Sequence, residues 1–454
     1  MNRRHFLGTA VAVGMSGVVS TPASRITETW AAGCGDGQLV PDALGGMSLE
    51  ALKEDYRRRL FEQYLPFWEK GGYDQQLGGF MCELNDDGSV SNDEKFIWYQ
   101  GRAIWVYAFL YNNFGKNPGW LDIAARTRDF MVKHMYAGEG KWVEKVRRDG
   151  ALLEGVGKIV YGWLFAALGL TELYVARRNP EDLELLKRSI EAAVETYDRP
   201  DYFDEHSARY TAVDLSQKGL RSQGHSMVIV SILHQLLKYC KDPQLETLQR
   251  RHTDLIVNKF WNPEYGIVNE YLRHDYSRLP GAEGHMFAGH SVETLWLVMA
   301  EALRIKDRRL FDTCTARVRR LLEMLWDYVF EGLGDGNYFV FDTPRQHRGP
   351  EYDVKTMWAH CEAMLACMMV MEYTGQAWAR EWYERVRAFT LRTMPVAGHG
   401  VWRQAVDRRG KDVKRVGVST KRKDNFHQVR YLMMNLLSCD RLLHSDGRLT
   451  PFPS

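Results

Sequence analysis

The sequence predicts an all-α fold: a closed (α/α)6 barrel (toroid) of two concentric helix rings, with short β-hairpins between helices. Two observations predict it. Six strongly apolar helices recur along the chain, each with a distinctive polar residue near its start. These residues are Arg102, Tyr161, His225, His290, His360 and His427, at intervals of 59, 64, 65, 70 and 67 residues. Six amphipathic helices alternate with them, over about 49–69, 119–136, 181–198, 243–260, 306–329 and 377–393.

The apolar helices open near YQGRAIWVYAFLY, GKIVYGWLFAALGLTELY, SQGHSMVIVSILHQLLKY, AGHSVETLWLVMAEAL, KTMWAHCEAMLACMMVMEY and DNFHQVRYLMMNLLSC. A helix apolar nearly all round must be buried, while an amphipathic partner needs one covered face. The first set therefore forms the inner ring and the second the outer ring. Stretches such as GGFMCELNDDGSV, KWVEKVRRDGAL, YGIVNEYLRHDY, GNYFVFDTPR and GVWRQAVDRRGKD carry turn signals between alternating residues and read as hairpins. Closure of the ring removes the need for capping repeats, so residues 49–445 form one catalytic domain, followed by a tail at 446–454.

The first 23 residues, with Arg3-Arg4, Phe6-Leu7 and a short apolar run ending near Ala23, resemble a twin-arginine export signal. The run is too short to span a bilayer, and residues 24–48 read as a linker. The expected location is periplasmic or exported. No later segment is apolar enough to cross a membrane. AAGC, ending at Cys34, is set apart from the apolar run by polar residues and reads poorly as a lipid-attachment box. Seven cysteines without paired spacing predict buried thiols rather than bridges. With 60 Lys and Arg against 58 Asp and Glu, the chain has no basic excess to neutralise a nucleic acid backbone. Its 14 Trp and 22 Tyr suit both a large core and a carbohydrate site.

In such a barrel the inner-helix starts converge at one mouth, so the six phased residues would line one cavity. Helix N-termini carry partial positive charge and disfavour imidazolium. Histidines placed there should therefore be neutral near pH 7 and able to accept a proton.

With these residues assembled, the chain resembles the N-acylglucosamine 2-epimerase and cellobiose 2-epimerase superfamily over about residues 50–445. GGF at 78–80, Asp87-Gly88, Lys95, Trp98 and QGR at 100–102 are similar to its first repeat, and KIVYG with Phe165 to its second. GHSVETLWL resembles its Gly-His-x-x-Glu-x-x-Trp-Leu block. Lys355, Trp358 and Glu362 resemble its fifth repeat, and FHQVR its closing His-x-x-Arg at His427 and Arg430. The resemblance implies a sugar 2-epimerase or aldose–ketose isomerase acting on a reducing mono- or oligosaccharide, with no cofactor and no metal in the chemical step. It implies an acid/base pair in His290 and His427, with Arg102 anchoring sugar oxygens and Glu293 orienting or tuning His290. Proton transfer at C2 would pass through an enediolate.

The remaining candidates for substrate contact are Trp358, His225, His360, Glu362, Arg430 and Tyr161. Trp358 is either a sugar-stacking platform or a core residue, and His360 either a sugar ligand or a cap for local backbone. Arg102 is either a substrate anchor or an ion-pair partner of Glu362 or Glu293. The chain departs from the family pattern at Met227 and Val230, where a second histidine and a glutamate are usual. It departs again at Met357, at His360 in a glutamine position, and at Val429 in place of proline. An oligosaccharide lyase or hydrolase on the same barrel, and a sugar-binding barrel without chemistry, are the competing readings. A monomer and a homodimer are both allowed.

Overall fold

The computed structural model describes residues 43–157, 160–203, 217–334, 354–413, 421–445 and 448–453, and the backbone alone of 340–343 and 346–348. Among these residues twelve long helices alternate between outer and inner positions. The outer helices are α1 (Leu49–Arg58), α3 (Pro118–Met135), α5 (Pro180–Tyr197), α7 (Pro243–Asp254), α9 (Arg308–Leu325) and α11 (Ala377–Thr393). The inner helices are α2 (Ile97–Asn113), α4 (Val160–Arg177), α6 (Gln223–Leu236), α8 (Ala288–Ile305), α10 (Met357–Thr374) and α12 (His427–His444). Each inner helix packs against the next, and α12 returns to pack against α2, closing the ring. The periodicity expectation is met: one contiguous hydrophobic core fills the space between the rings.

The two kinds of connection differ for a chemical reason. Inner helices turn sharply into outer ones, and three of these turns end in Asn117-Pro118, Asn179-Pro180 and Asp242-Pro243. Proline suits the first helical position because it has no N–H to leave unsatisfied. The preceding Asn or Asp side chain accepts from the free N–H groups of the first turn. Outer helices return to inner ones through the longer hairpins. Closure pairs the first outer helix, α1, with the last inner helix, α12.

The hairpins set where the inner helices begin. Lys95-Phe96, Arg221-Ser222 and Lys355-Thr356 immediately precede α2, α6 and α10, and each pairs with the hairpin that follows the next outer helix. The antiparallel partners are Lys95 with Val146, Ser222 with Tyr271 and Thr356 with Ala405. Two of these strands are anchored by matching buried ion clusters. Lys95 Nζ donates to Asp74 Oδ2 at 2.9 Å, and the exposed edge of Arg148 adds two bonds to the same carboxylate at 2.8 and 3.0 Å. Four repeats later, Lys355 Nζ donates to Asp327 Oδ2 at 3.0 Å, joined by Arg408 at 2.9 and 3.2 Å. Arginine and lysine hold both aspartates far below the usual carboxylate range, against the opposing effect of burial.

At the chain ends the structure moves the expected boundaries. Ala43–Leu44 and Met47–Ser48, inside the expected linker, form a small hairpin, with Leu44 in the core and Gly45 N–H donating to Glu384 Oε1 on α11 at 3.2 Å. Residues of the expected tail are fastened to the barrel. Thr450 N–H donates to the Glu372 carbonyl at 2.9 Å, and Phe452 meets Phe311 edge-on at 5.5 Å. The export signal and Cys34 lie outside the described residues. The six cysteines that are described are all free. Among the described residues no helix is long and apolar enough to cross a membrane.

Candidate active site

α2, α6, α8 and α10 begin without a side-chain cap; the first N–H of α6, at Gln223, and of α10, at Met357, donate instead to the hairpin carbonyls of Glu270 and Gln404 at 2.8 and 3.0 Å. His427 is the first residue of α12 and His290 the third of α8. Trp358, near the start of α10, touches both, its indole 5.3 Å from the His290 ring and 5.5 Å from the His427 ring. This approach requires Gly289: a β-carbon there would stand 2.2 Å from the Trp358 ring.

Each imidazole is tied through Nδ1 to its own buried carboxylate. His427 Nδ1 donates to Glu362 Oε1 at 2.8 Å, and the other oxygen of Glu362 accepts from Trp296 Nε1 at 2.8 Å. Arg430 lies 2.7 Å from the same carboxylate and also pairs with Glu293. Burial raises the pKa of Glu362, but the Arg430 charge and the bond from His427 pull it down to about 2. An ionised acceptor fixes the proton of His427 on Nδ1 and leaves Nε2 as the lone-pair nitrogen.

His290 Nδ1 lies 3.1 Å from Glu270 Oε2, whose second oxygen accepts from Ser222 Oγ at 3.3 Å. Strand pairing of Ser222 with Tyr271 delivers Glu270 to this place. Gly224 lets the start of α6 close over it, since a β-carbon there would crowd His290, Glu270 and Tyr161 at 3.2 to 3.4 Å. Nε2 of His290 faces the Tyr161 hydroxyl at 3.5 Å. Burial disfavours the charge on His290. The Glu270 carboxylate, its hydrogen bond and the more distant Glu293 outweigh burial and the opposing Arg102, so the pKa lies above the ordinary histidine value. This shift runs opposite to the one expected from a helix start. A full carboxylate charge in contact outweighs the half-charge of a helix end.

Arg102 is held by aromatic faces, its guanidinium 4.3 Å from the Phe165 ring and 5.1 Å from that of Phe426. It makes no ion pair among the described residues, and its buried Nε has no hydrogen-bond partner. The ion-pair role considered for Arg102 belongs to Arg430.

The structure revises four further expectations. Of the two roles expected of Glu293, orienting His290 is not seen, since it pairs with Arg430, whereas tuning is, since its field helps raise the His290 pKa. Glu362 is bonded to His427 and paired with Arg430, an arrangement suited to positioning the histidine, while the buried Nε of Arg430 has no hydrogen-bond partner. His360 has both nitrogens occupied by backbone, Nδ1 donating to the Thr356 carbonyl at 2.7 Å and Nε2 accepting from Leu333 N–H at 3.0 Å. Buried against Phe389, with its pKa driven down to about 4 by burial, it is a structural residue. His225 is stacked on Tyr197 at 5.0 Å, bonded to the Tyr202 hydroxyl at 2.9 Å and edge-on to Tyr161 at 5.5 Å.

Sequence reasoning missed Glu270. Its hairpin, YGIVNEYLRHDY, was legible, but nothing local marks one glutamate of a hairpin as the partner of a histidine twenty residues on. Glu293, Glu362 and His427 bring ligand-type atoms within 4.8 Å of one another, and the positive charge among them is the guanidinium of Arg430.

Comparison with known proteins agrees with this geometry. The profile of the N-acylglucosamine 2-epimerase (GlcNAc 2-epimerase) family matches residues 78–429. The chain is 26% identical over 426 residues to N-acylglucosamine 2-epimerase of Mus musculus, covering 89% of this chain and 95% of the mouse protein. It is 22% identical over 367 residues to cellobiose 2-epimerase of Bacteroides fragilis, covering 78% of this chain and 90% of that protein. The solved structure of cellobiose 2-epimerase from Bacillus thermoamylovorans B4167 superposes with a TM-score of 0.70 at 17% identity, over 86% of this chain and 99% of that one. A family match over most of the chain, on a closed helical barrel, decides the assignment: the chain belongs to the N-acylglucosamine 2-epimerase family and is an enzyme of the epimerase and isomerase class.

Proposed function

We propose that this enzyme inverts C2 of a reducing mono- or oligosaccharide, with His290 and His427 serving opposite faces of the sugar. The observation that supports this most is the pair of imidazoles that both touch the Trp358 indole, each with Nδ1 committed to a carboxylate. Such an arrangement leaves Nε2 of His427 for substrate and Nε2 of His290 against only the Tyr161 hydroxyl at 3.5 Å, a long contact that a substrate could replace.

In the open-chain sugar the C2 proton is acidified by the C1 carbonyl. One neutral imidazole takes that proton, and the C2–H electron pair forms the C1–C2 double bond as the carbonyl electrons move onto O1. The resulting enediolate oxygen is negative, and Arg102, which has no carboxylate of its own, supplies the compensating charge. The second imidazole, protonated, returns a proton to the opposite face of C2, the double bond collapses, and the carbonyl re-forms. One histidine must be neutral and the other charged at the start, and the raised pKa of His290 makes it the natural donor for one direction.

A glycoside hydrolase needs two carboxylates facing substrate. Glu293 and Glu362 are buried against Arg430, which argues against that reading. We also retain export through the twin-arginine segment as a proposal on sequence grounds.

The test is turnover of a panel of reducing mono- and disaccharides in deuterated water, read by NMR. Appearance of the C2 epimer with deuterium at C2 is the expected result. An unsaturated, ultraviolet-absorbing product would replace this reading with a lyase. Every sugar returning unchanged and unlabelled would reduce the protein to a binder.

A further inference from the structure

α12 and α2 are the last and the first inner helices, and their contact closes the barrel. One aromatic ring sits in that seam. Phe426 is buried and immediately precedes His427. The guanidinium of Arg102, on α2, lies 5.1 Å from its ring centroid, and that of Arg430, on α12, lies 4.4 Å from it. The His427 ring meets it in a T-shaped contact at 5.5 Å. A single phenylalanine thus touches the expected sugar anchor, a histidine of the pair and the arginine behind that histidine.

The ring is fixed from both helices of the seam. Trp105 of α2 and Phe165 of α4 meet it in T-shaped contacts at 5.2 and 6.1 Å. Its own N–H donates to Asp424 Oδ1 at 3.0 Å, and its carbonyl accepts from the Arg430 N–H at 2.8 Å. Next to it, Asn425 Nδ2 donates to the Tyr99 carbonyl on α2 at 3.0 Å, and the Tyr99 hydroxyl donates to the Lys423 carbonyl at 3.0 Å. Ring and main chain are therefore tied to α2 as well as to α12.

The two guanidinium groups depend on this ring unequally. Arg430 is paired with Glu293 and Glu362, which hold it whether or not a ring is present. Arg102 has no carboxylate among the described residues, and its buried Nε has no hydrogen-bond partner. What restrains it is aromatic: Phe165 at 4.3 Å on one contact and Phe426 at 5.1 Å on the other. A ring attracts a cation through its quadrupole, and more strongly where water is excluded. Unlike a carboxylate, it brings no net negative charge. Arg102 is thus held in place with its positive charge uncancelled, the state in which it best meets a developing oxyanion.

We propose that Phe426 is a positioning residue for this enzyme's reaction: its ring holds Arg102 without neutralising it and keeps that charge in register with His427 across the seam between α2 and α12. This inference rests on the role proposed above for Arg102 as the counter-charge to the enediolate oxygen. That charge appears on the way to the transition state and not in the bound sugar, so loss of the ring should fall on kcat more than on KM.

The test is a double-mutant cycle in the full-length enzyme, with Phe426→Leu, Arg102→Gln and the two combined, read as sugar turnover. Phe426→Leu should lower kcat by about tenfold, with a smaller effect on KM. In the Arg102→Gln background the same change should add almost nothing. Losses that multiply in the double variant overturn the positioning role, because a ring needed only for packing acts independently of Arg102. Native turnover in Arg102→Gln alone removes the counter-charge role instead, and this proposal with it. Should the leucine variant fail to fold, fluorinated phenylalanines at position 426 decide. One, two or three fluorines nearly keep the shape of the ring while draining electron density from its face. A stepwise fall in kcat is expected, and an unchanged kcat across the series overturns the clamp. Proton NMR of the Arg102 Nε–H in the sugar-free enzyme reads the contact without turnover: its ring-current shift should change in Phe426→Leu, and an unchanged signal overturns the contact.

Discussion

His427 and Glu362 are joined Nδ1 to Oε1 at 2.8 Å, and the carboxylate that holds the imidazole is itself held by Trp296 and Arg430. A positive guanidinium, an ionised carboxylate and an imidazole thus stand in sequence. The carboxylate cannot be protonated near neutrality, so the tautomer of His427 is set by its surroundings.

Replacing Glu362 by Gln keeps the shape but removes the charge that fixes the proton on Nδ1. We expect kcat to fall by about tenfold to a hundredfold, by analogy with the cost of losing outer partners of reactive histidines, while KM changes little. The Nδ1 and Nε2 signals of His427 should become tautomerically mixed in NMR spectra. Native turnover with an unmixed tautomer would remove Glu362 from the positioning role.

Glu270→Gln tests the other half-site through pH. In the native enzyme Glu270 and Glu293 hold the His290 pKa above its ordinary value despite burial. Without the Glu270 charge, burial dominates and the pKa should drop below the ordinary value of about 6.5. The stability contributed by the native pair is fully present below the unfolded-state pKa and is lost as pH rises through the folded one. The stability advantage of the native enzyme over the variant should therefore be greatest in acid and shrink toward alkaline pH. If His290 donates as imidazolium, the alkaline limb of kcat/KM should also move to lower pH. A pH profile and melting series superimposable on the native ones would contradict both statements.

Asp74→Asn tests the ion cluster that fixes the start of α2. Lys95 would keep its buried charge and lose the carboxylate bonded to it, and breaking a buried pair in this way typically costs about 3–5 kcal/mol. A denaturant titration should show that loss. Arg102 lies on the helix that Lys95 precedes, so sugar affinity should weaken in the folded fraction as well. A loss below about 1 kcal/mol would fall in the range of a surface pair, and the cluster would then be peripheral.

The barrel was legible because one physical rule repeats six times: all-apolar helices must be inside and amphipathic ones outside. The phased residues Arg102, Tyr161, His290 and His427 and the flanking Trp358 did converge at the mouth for the same reason. His360 kept the phase without the role, since its helix start is packed under Leu333 and Phe389 and both nitrogens meet backbone. Phase locates a residue on the ring but does not say whether the neighbouring hairpin covers it. Glu270 was illegible for the opposite reason. It reaches His290 by strand pairing between segments nearly fifty residues apart, Ser222 with Tyr271, and no helical period encodes that contact. Glu293 shared a helix face with His290 in the expected way, yet its carboxylate went to Arg430, the stronger local charge.

The twin-arginine segment predicts export in the folded state, consistent with the six cysteines among the described residues, which are free and mostly buried and need no oxidising compartment. Replacing Arg3 and Arg4 together by Lys should leave an unprocessed precursor in the cytoplasm, detected by fractionation and mass. Normal processing and delivery of that variant would remove the export assignment.

The sharpest prediction concerns His290 and His427 together. Asparagine at either position keeps hydrogen-bonding capacity but cannot carry a proton, so loss should fall on kcat more than on KM. Loss of a general acid or base costs about a hundredfold to ten-thousandfold, and net epimerisation should fall by that much in each single variant. The two variants should differ in isotope exchange. Each keeps one imidazole, and that imidazole still reaches the C2 proton of one epimer only. In deuterated water, His290→Asn should therefore wash the proton out of the epimer facing His427 without producing the other epimer. His427→Asn should do so for the opposite epimer. This complementary pattern would assign each face of the sugar to its histidine. If both variants retain near-native turnover, or if one exchanges both epimers, a single base serves both faces and the two-histidine mechanism is wrong.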